Sequence, residues 1–107
     1  MNKKPTRIII GEDRKIDISL LNLPDGVTME TVDVSFTVSA GHHSVEFTRD
    51  QIKKTADGKY YLALATEGFP PGDLMLSAHV RIADDDFADG YRDEFPEFDL
   101  NAKLVQR

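Results

Sequence analysis

The sequence predicts an all-β chain in which about seven strands form a two-sheet sandwich. The clearest observation is the run Leu74–Ile82, which places Leu, Leu, Ala, Val and Ile on one face and Met, Ser, His and Arg on the other. Strict alternation at a period of two is typical of a half-buried strand, whereas a helix needs apolar spacings of three and four. Turn residues separate the strand-like runs at intervals of roughly 8–15 residues, as in sandwiches and barrels. The 107 residues are therefore expected to form one domain, residues 1–107.

The first half of the chain contains four predicted strands. Thr6–Ile10 is closed by a glycine, and Arg14–Leu21 has isoleucine and leucine residues on one face. A turn is expected at residues 23–26, because proline pre-sets φ and Asp-Gly tolerates the positive φ that follows. Thr31–Ala40 alternates Val, Val, Phe and Val with polar residues, and Ser44–Thr48 returns after a short Gly-His-His loop. These last two strands are predicted to form a β-hairpin.

The second half is organised around two long strands joined by a Gly/Pro-rich corner. Gln51–Ala56 is a weak strand, and the Asp-Gly pair that follows it is among the strongest local hairpin signals. Tyr60–Ala65 is apolar or aromatic on both faces, which is typical of a strand inside a sheet. The corner at residues 68–73 ends the ladder, because proline cannot donate a hydrogen bond and Gly72 can adopt positive φ. We expect Phe69 to plug the end of the core and the central strand pair to lie in or near the middle of one sheet.

The chain closes with a loop and a last strand. Residues 84–94 are predicted to be a loop by composition, and Phe95-Pro96 is typical of an extended or turn dipeptide. Glu97–Val105 then places Phe, Leu, Ala and Leu on one face. Six apolar residues of the predicted strands are expected to be buried. They are Val34, Phe36, Leu62, Leu76, Val80 and Leu100.

Composition limits the possible classes of function. The chain has no cysteine, which rules out a disulfide framework and a thiolate metal site, and no cofactor is expected. No apolar run approaches the ~20 residues that cross a bilayer, so no membrane partner is expected. The isoleucine run near the amino terminus is too short for a signal peptide, whose apolar region needs ~7–15 residues, so we expect the protein to be cytoplasmic at synthesis. A net charge of −6 argues against a nucleic-acid partner.

The most unusual segment of the sequence is acidic. Residues 84–99 contain eight acidic residues and one arginine, a net charge of −7, so the rest of the chain sums to +1. Hard cations such as Ca²⁺ prefer carboxylate oxygens, which makes Asp84, Asp86 and Asp89 the candidate metal ligands. The EF-hand pattern fails, because the fifth position counted from Asp84 is alanine and the twelfth is phenylalanine. The alternatives are a solvated loop that keeps a sheet edge from pairing, or a binding surface for a basic partner.

The remaining polar residues show no catalytic pattern. Neighbouring residues of a strand point to opposite faces, so His42 and His43 are not expected to chelate a metal together. His79 is expected to face outward. Two carboxylates of the acidic segment could form a glycosidase pair, but the serines lie in no nucleophile motif such as G-x-S-x-G. We therefore expect a protein that is not an enzyme.

Four patterns carry a resemblance to a known family. They are the alternating strand Val32–Val38, the turn Asp57-Gly58, the strand–corner–strand Leu62–Ile82 and the Asp-Gly-Tyr-Arg of residues 89–92. From Arg14 to Leu104 the chain resembles the amino-terminal domain of phage baseplate upper proteins and small prophage or mobile-element proteins of gut bacteria. The resemblance implies an immunoglobulin-like β-sandwich with a structural or assembly role and no catalytic residues.

Two functions are expected from these observations, and a small hydrolase is a third alternative. The first is a non-catalytic interaction module in a phage-derived or mobile-element assembly, which binds a protein partner or itself and would be virion-associated. The second is a ligand-binding sandwich for carbohydrate or calcium, because exposed aromatic rings beside acids are one way in which sandwiches bind sugars. Tyr91 and Phe87 are candidate rings, together with Tyr60 and Tyr61, for which core packing is favoured because they lie on opposite faces of one strand.

Overall fold

The computed structural model describes residues 4–20, 23 and 25–107. In this part of the chain the fold contains nine strands and one short 3-10 helix, Arg49–Gln51. The strands are β1 (Thr6–Ile9), β2 (Asp13–Ile18), β3 (Asp33–Ala40), β4 (His43–Phe47), β5 (Lys53–Lys54), β6 (Tyr60–Ala65), β7 (Gly72–Ala83), β8 (Tyr91–Glu94) and β9 (Glu97–Val105). The predicted all-β class is confirmed, with nine strands instead of about seven. Within the same residues, no helix has the length and apolar character needed to cross a bilayer.

The strands form two sheets that pack face to face. The larger sheet has the order β1-β9-β7-β3-β4, with β8 also paired to β7, and the smaller sheet has the order β2-β6-β5. All neighbours are antiparallel except β1 and β9, which run parallel. The second, fifth and sixth strands thus share one sheet and the third, seventh and ninth share the other, which is the immunoglobulin arrangement. In constant-type immunoglobulin domains the first strand borders the second, whereas here β1 joins β9.

The strand pair that was predicted to lie in one sheet is divided between the two sheets. β6 lies between β2 and β5, and β7 lies between β3 and β9, so the prediction of a shared sheet was wrong. Six residues separate the two strands, and prolines at positions 70 and 71 fix φ within them. A connection of this kind suits a crossing between packed sheets better than the tight turn of a paired hairpin. Phe69 is buried in this corner, as predicted.

The core lies between the facing sides of the two sheets. Five of the six residues that were predicted to be buried are buried: Val34, Phe36, Leu62, Leu76 and Val80. Leu100 is only half-buried, which corrects the sixth prediction. Asn101 has a φ of 48°, and the register of β7 against β9 shifts between Asp73 and Met75. This irregularity interrupts the alternation of β9. Leu100 also precedes the part of β9 that pairs with β1, which begins at Ala102.

Both hairpins predicted from turn residues are present. β3 and β4 pair around Gly41 and His42, and β5 and β6 pair around Asp57 and Gly58. The two glycines have φ values of 58° and 89°, which other residues rarely adopt. The second predicted strand is shorter than expected, because β2 ends at Ile18 and neither Ser19 nor Leu20 belongs to it. Its last predicted residue, Leu21, and Pro24 of the predicted turn lie outside the described residues.

The acidic loop is shorter than the sequence predicted, because β8 occupies its second half. Val80–Ala83 of β7 pair with Tyr91–Glu94, so only residues 84–90 form the turn. Three of the four β8 residues are charged, and pairing with a long neighbour strand overrides their weak strand preference. The backbone N–H of Ala78 donates to the Pro96 carbonyl at 2.9 Å, between the segments that pair with β8 and β9. β8 and β9 are therefore one strand along the same edge of β7, interrupted at Phe95-Pro96.

Candidate interaction site

The end of β7, the turn that follows it and β8 form one unit, residues 79–95, called here the β7–β8 hairpin. Its turn is closed by a hydrogen bond from the Asp84 N–H to the Gly90 carbonyl at 2.9 Å. Asp84 Oδ1 accepts from the Asp86 N–H at 3.0 Å, and Asp89 Oδ1 accepts from the Tyr91 N–H at 3.1 Å. Aspartates are common in turns because their side chains bond to the backbone two residues ahead. Part of the acidic composition therefore shapes the turn.

The structure does not gather the three candidate metal ligands into a coordination site. Across residues 4–20, 23 and 25–107, no group of three or more histidine, aspartate or glutamate side chains could hold a metal ion. Asp84 Oδ2 instead accepts from Arg92 at 3.0 Å, and Asp89 Oδ2 accepts from Arg81 at 3.2 Å. Asp86 is exposed and lies between these two ion pairs in the sequence. The hairpin thus uses two of its aspartates as partners of its own arginines.

On the outward side of the hairpin, two aromatic rings each pack against a polar or charged side chain. The Phe95 ring stacks on the His79 ring with centroids 4.6 Å apart and planes 14° apart. His79 Nε2 lies 2.9 Å from Asp93 Oδ1, and the Arg81 guanidinium carbon lies 4.3 Å from the centroid of the Tyr91 ring. These five residues, named here the outer aromatic face, share one side of the sheet because strand residues alternate. His79 is exposed on this face, as predicted.

The outer aromatic face is unusual in how much apolar surface it exposes. Phe95 is 69% exposed and Tyr91 is 45% exposed, although both rings are held by neighbours. Of the five large apolar side chains that are exposed in the described residues, three belong to the hairpin, the third being Phe87. Clustered exposed apolar groups with a polar rim are typical of interaction sites. No local pattern in the sequence indicates the Phe95–His79 stack, because the pairing of β8 with β7 creates it.

The other residues singled out in the sequence lie elsewhere. His42 is exposed, and the His43 ring packs edge-on against Phe69 at a centroid distance of 4.4 Å. Tyr60 packs partly against the core, as favoured, and its hydroxyl donates to Glu30 Oε1 at 3.2 Å. Tyr61 is half-buried on the other side of β6, where Lys15 Nζ lies 5.0 Å from its ring centroid. None of these contacts joins the outer aromatic face.

Hydrogen bonds to Glu30 change the acidity of this side chain. Lys54 donates to its carboxylate and Tyr60 donates as a second partner, so the pKa of Glu30 lies below its usual range. The same contact with Glu30 raises the pKa of Lys54. Both side chains are exposed, and neither belongs to the hairpin. These pKa shifts are therefore explained by an exposed ion pair between Lys54 and Glu30.

No protein-family model, curated protein or solved structure matches the chain. The features that bear on function belong to the β7–β8 hairpin. Its stacked rings, its cation–π pair and its surplus of carboxylates can bind an apolar or basic surface without chemical reaction.

Proposed function

We propose that the protein is a non-catalytic interaction module that binds a protein partner through the outer aromatic face. The observation that carries the proposal is Phe95, a ring that is 69% exposed and yet fixed flat against His79. Rigid aromatic anchors lose little side-chain freedom on binding and dominate the energetics of many interfaces. Tyr91, supported by Arg81, would provide a second anchor beside it.

The charge of the surrounding segment favours a basic partner. Residues 84–99 carry a net charge of −7, and Asp85 and Asp86 lie at the exposed turn of the hairpin. Complementary charges speed encounter and select against wrong partners, even where they add little affinity. A partner with lysines or arginines around an apolar pocket would match both the rings and the carboxylates.

We assign the module to an assembly, as a subunit of a phage-derived tail or baseplate complex or of a mobile-element complex. The sequence resemblance over Arg14–Leu104 supports this context. The strand order agrees with the immunoglobulin-like fold that the resemblance implies. A hairpin with a preformed and exposed contact surface suits a subunit that docks onto a neighbour.

Site-specific photo-crosslinking tests the proposal. A benzophenone amino acid is placed at position 95, and at position 44 as a matched control on the outer side of β4 in the same sheet. Irradiation in the cells that make the protein should give one discrete crosslinked species from position 95 and none from position 44. The crosslink should be lost when Tyr91→Ser and Arg81→Ala are added, and mass spectrometry identifies the partner.

Each outcome of the crosslinking experiment is informative. Equal products from both positions, or no product from position 95, would contradict the proposed surface. A partner encoded beside this protein in a prophage or mobile element would support the assembly context. A specific partner encoded elsewhere would keep the interaction module and reject that context.

Carbohydrate binding is the second candidate, because Tyr91 and Phe95 expose ring surface beside the Asp93 carboxylate. A sugar that binds the folded state should raise the thermal midpoint, and Phe95→Ser should remove the rise. Calcium binding through Asp84 and Asp89 would require both side chains to leave their arginine partners. A clear rise with Ca²⁺ that Asp86→Asn abolishes would favour that alternative.

A further inference from the structure

A groove lies between the two sheets on the inward side of the β7–β8 hairpin. Its cavity has a volume of about 440 Å³ and a floor that includes Leu76, Val80, Phe98 and Leu100. Cavities of ~300–1,000 Å³ with mostly apolar walls are the usual size of binding sites. The outer aromatic face belongs to the opposite side of the sheet, so the groove is a second surface.

The groove opens where neither sheet has a further strand. β2 pairs only with β6, and β1 pairs with β9 only from Ala102 to Val105. In the part of the chain that the structure describes, the outer edges of β2 and of residues 97–101 therefore have no strand beside them. In constant-type immunoglobulin domains the first strand occupies the place beside the second. This side of the sandwich can accept an added extended segment.

The mouth of the groove is acidic. Asp17, Glu94 and Asp99 line it, and none of the described lining residues is basic. Arg92 offsets part of the charge of Glu94, since its Nε lies 3.2 Å from the Glu94 carboxylate. Lys15 is exposed in the first half of β2, and a lysine on an edge strand disfavours pairing with another chain. The carboxyl end of β2, next to the cavity, is therefore the part of this edge that is acidic and has no lysine to hinder pairing.

We propose that this groove binds an extended, basic segment of a partner protein. An apolar side chain of the segment fills the cavity, and flanking lysines or arginines contact Asp17 and Asp99. The backbone of the segment bonds to the free edge at the carboxyl end of β2, in the manner of strand addition. The inference goes beyond the proposed function, because it concerns a different surface and the chemistry of what binds there.

Binding of a synthetic peptide tests this inference. The probe is a short labelled peptide in which lysine and leucine alternate, and the controls are a peptide with glutamate in place of lysine and one with the lysines grouped at one end. Fluorescence anisotropy measures the affinity of the full chain for each peptide at low and high salt. Asp17→Lys removes one rim carboxylate, and Asp13→Lys is the matched control, an exposed aspartate of the same strand away from the groove.

The alternating lysine–leucine peptide should bind, and high salt should weaken it because the charges are exposed. Asp17→Lys should weaken binding roughly fivefold or more, whereas Asp13→Lys should change it by less than about twofold. Ser19→Trp adds bulk at the groove and should block the peptide. Thermal midpoints confirm that each variant is folded. Phe95→Ser should leave peptide affinity unchanged, so this test and the crosslinking test fail independently.

Several results would overturn the inference. The glutamate or grouped-lysine peptide could bind as tightly, or both lysine variants could weaken binding equally, which would indicate general charge attraction. Absence of peptide binding, or binding that survives Ser19→Trp, would show that the groove is not used. If a small neutral dye bound at Leu100 and the peptide did not, the groove would be a small-molecule pocket instead.

Discussion

A single buried hydroxyl ties the end of β6 to the turn between β1 and β2. Thr66 follows β6 and is the one polar residue that is buried among the residues that the structure describes. Its Oγ1 donates to the Glu12 carbonyl at 2.7 Å and accepts from the Gly11 N–H at 2.8 Å. Gly11 has a φ of 107°, which glycine adopts without strain and other residues rarely adopt, and the hydroxyl fixes this turn between β1 and β2.

Thr66→Val should destabilise the protein by about 1–3 kcal/mol, because it keeps the shape of the side chain and leaves the Gly11 N–H without its partner. Thr66→Ser is the matched control, since it keeps the hydroxyl and loses one methyl group, at a cost of about 1 kcal/mol. Urea unfolding measures both variants. A valine variant as stable as the wild type, or more stable than the serine variant, would show that the hydroxyl does not hold the turn.

Glu30 gives a pH-dependent contact at the surface, between the β2–β3 connection and the small sheet. Its pKa is lowered first by Lys54 and then by Tyr60, so its stabilising contribution is present above about pH 4.3 and is lost as the pH falls through the lowered pKa. Lys54→Met should raise the pKa of Glu30 towards its ordinary value, whereas Lys53→Met should leave it unchanged. NMR titration of the Glu30 carboxyl carbon measures the pKa, and equal values in all three proteins would contradict the contact. The stability effect should be small, because the pair is exposed.

At the scale of elements, alternation predicted the strands and their faces where it was strict. β3, β7 and β9 lie within two residues of their predicted bounds, because polar residues occupy one face of each. β6 is apolar on both faces, so its pattern predicted a strand inside a sheet but did not identify the partner strand. Sheet membership depends on contacts distant in sequence, which explains why the shared sheet of β6 and β7 was predicted wrongly. β8 was missed for the same reason.

The candidate site was predictable only in part. The acidic segment was visible in composition, but the partners of its side chains depend on the register of β8 against β7. That register places Arg92 beside Asp84 and Phe95 on His79, which no local pattern indicates. In a sequence, an apolar residue that binds a partner cannot be told from one that packs in the core. The sequence therefore predicted Phe95 only as part of an extended or turn dipeptide.

Two substitutions in β6 test which of its faces is buried. Leu62 is 0% exposed, and truncating it to alanine should cost about 2–5 kcal/mol through lost burial and an internal cavity. Ala63→Ser changes the adjacent, exposed face and should alter stability by less than about 0.5 kcal/mol. Urea midpoints of the two variants provide the comparison. A large effect at Ala63 with a small one at Leu62 would reverse the assigned faces of β6.

For the whole molecule, the important feature is the concentration of negative charge in one segment of the chain. The strongly acidic residues 84–99 form the turn after β7, the strand β8 and the start of β9. With a charge of −7 in this segment, two copies that bring their outer aromatic faces together must also bring like charges together. This repulsion favours a basic partner over a second copy at ordinary ionic strength.

Light scattering at two salt concentrations tests this balance of charge and apolar surface. We expect a monomer of 12.0 kDa at low salt, because repulsion between the acidic hairpins acts over a Debye length of about 10 Å at 0.1 M. At about 1 M salt the length falls to about 3 Å, and the exposed rings should then associate. Phe95→Ser should remain monomeric at high salt, whereas Met75→Ser, which removes an exposed apolar side chain from β7 outside the hairpin, should still associate. A defined oligomer at low salt that survives Phe95→Ser would instead place self-assembly at another surface, with the free strand edges as the next sites to mutate.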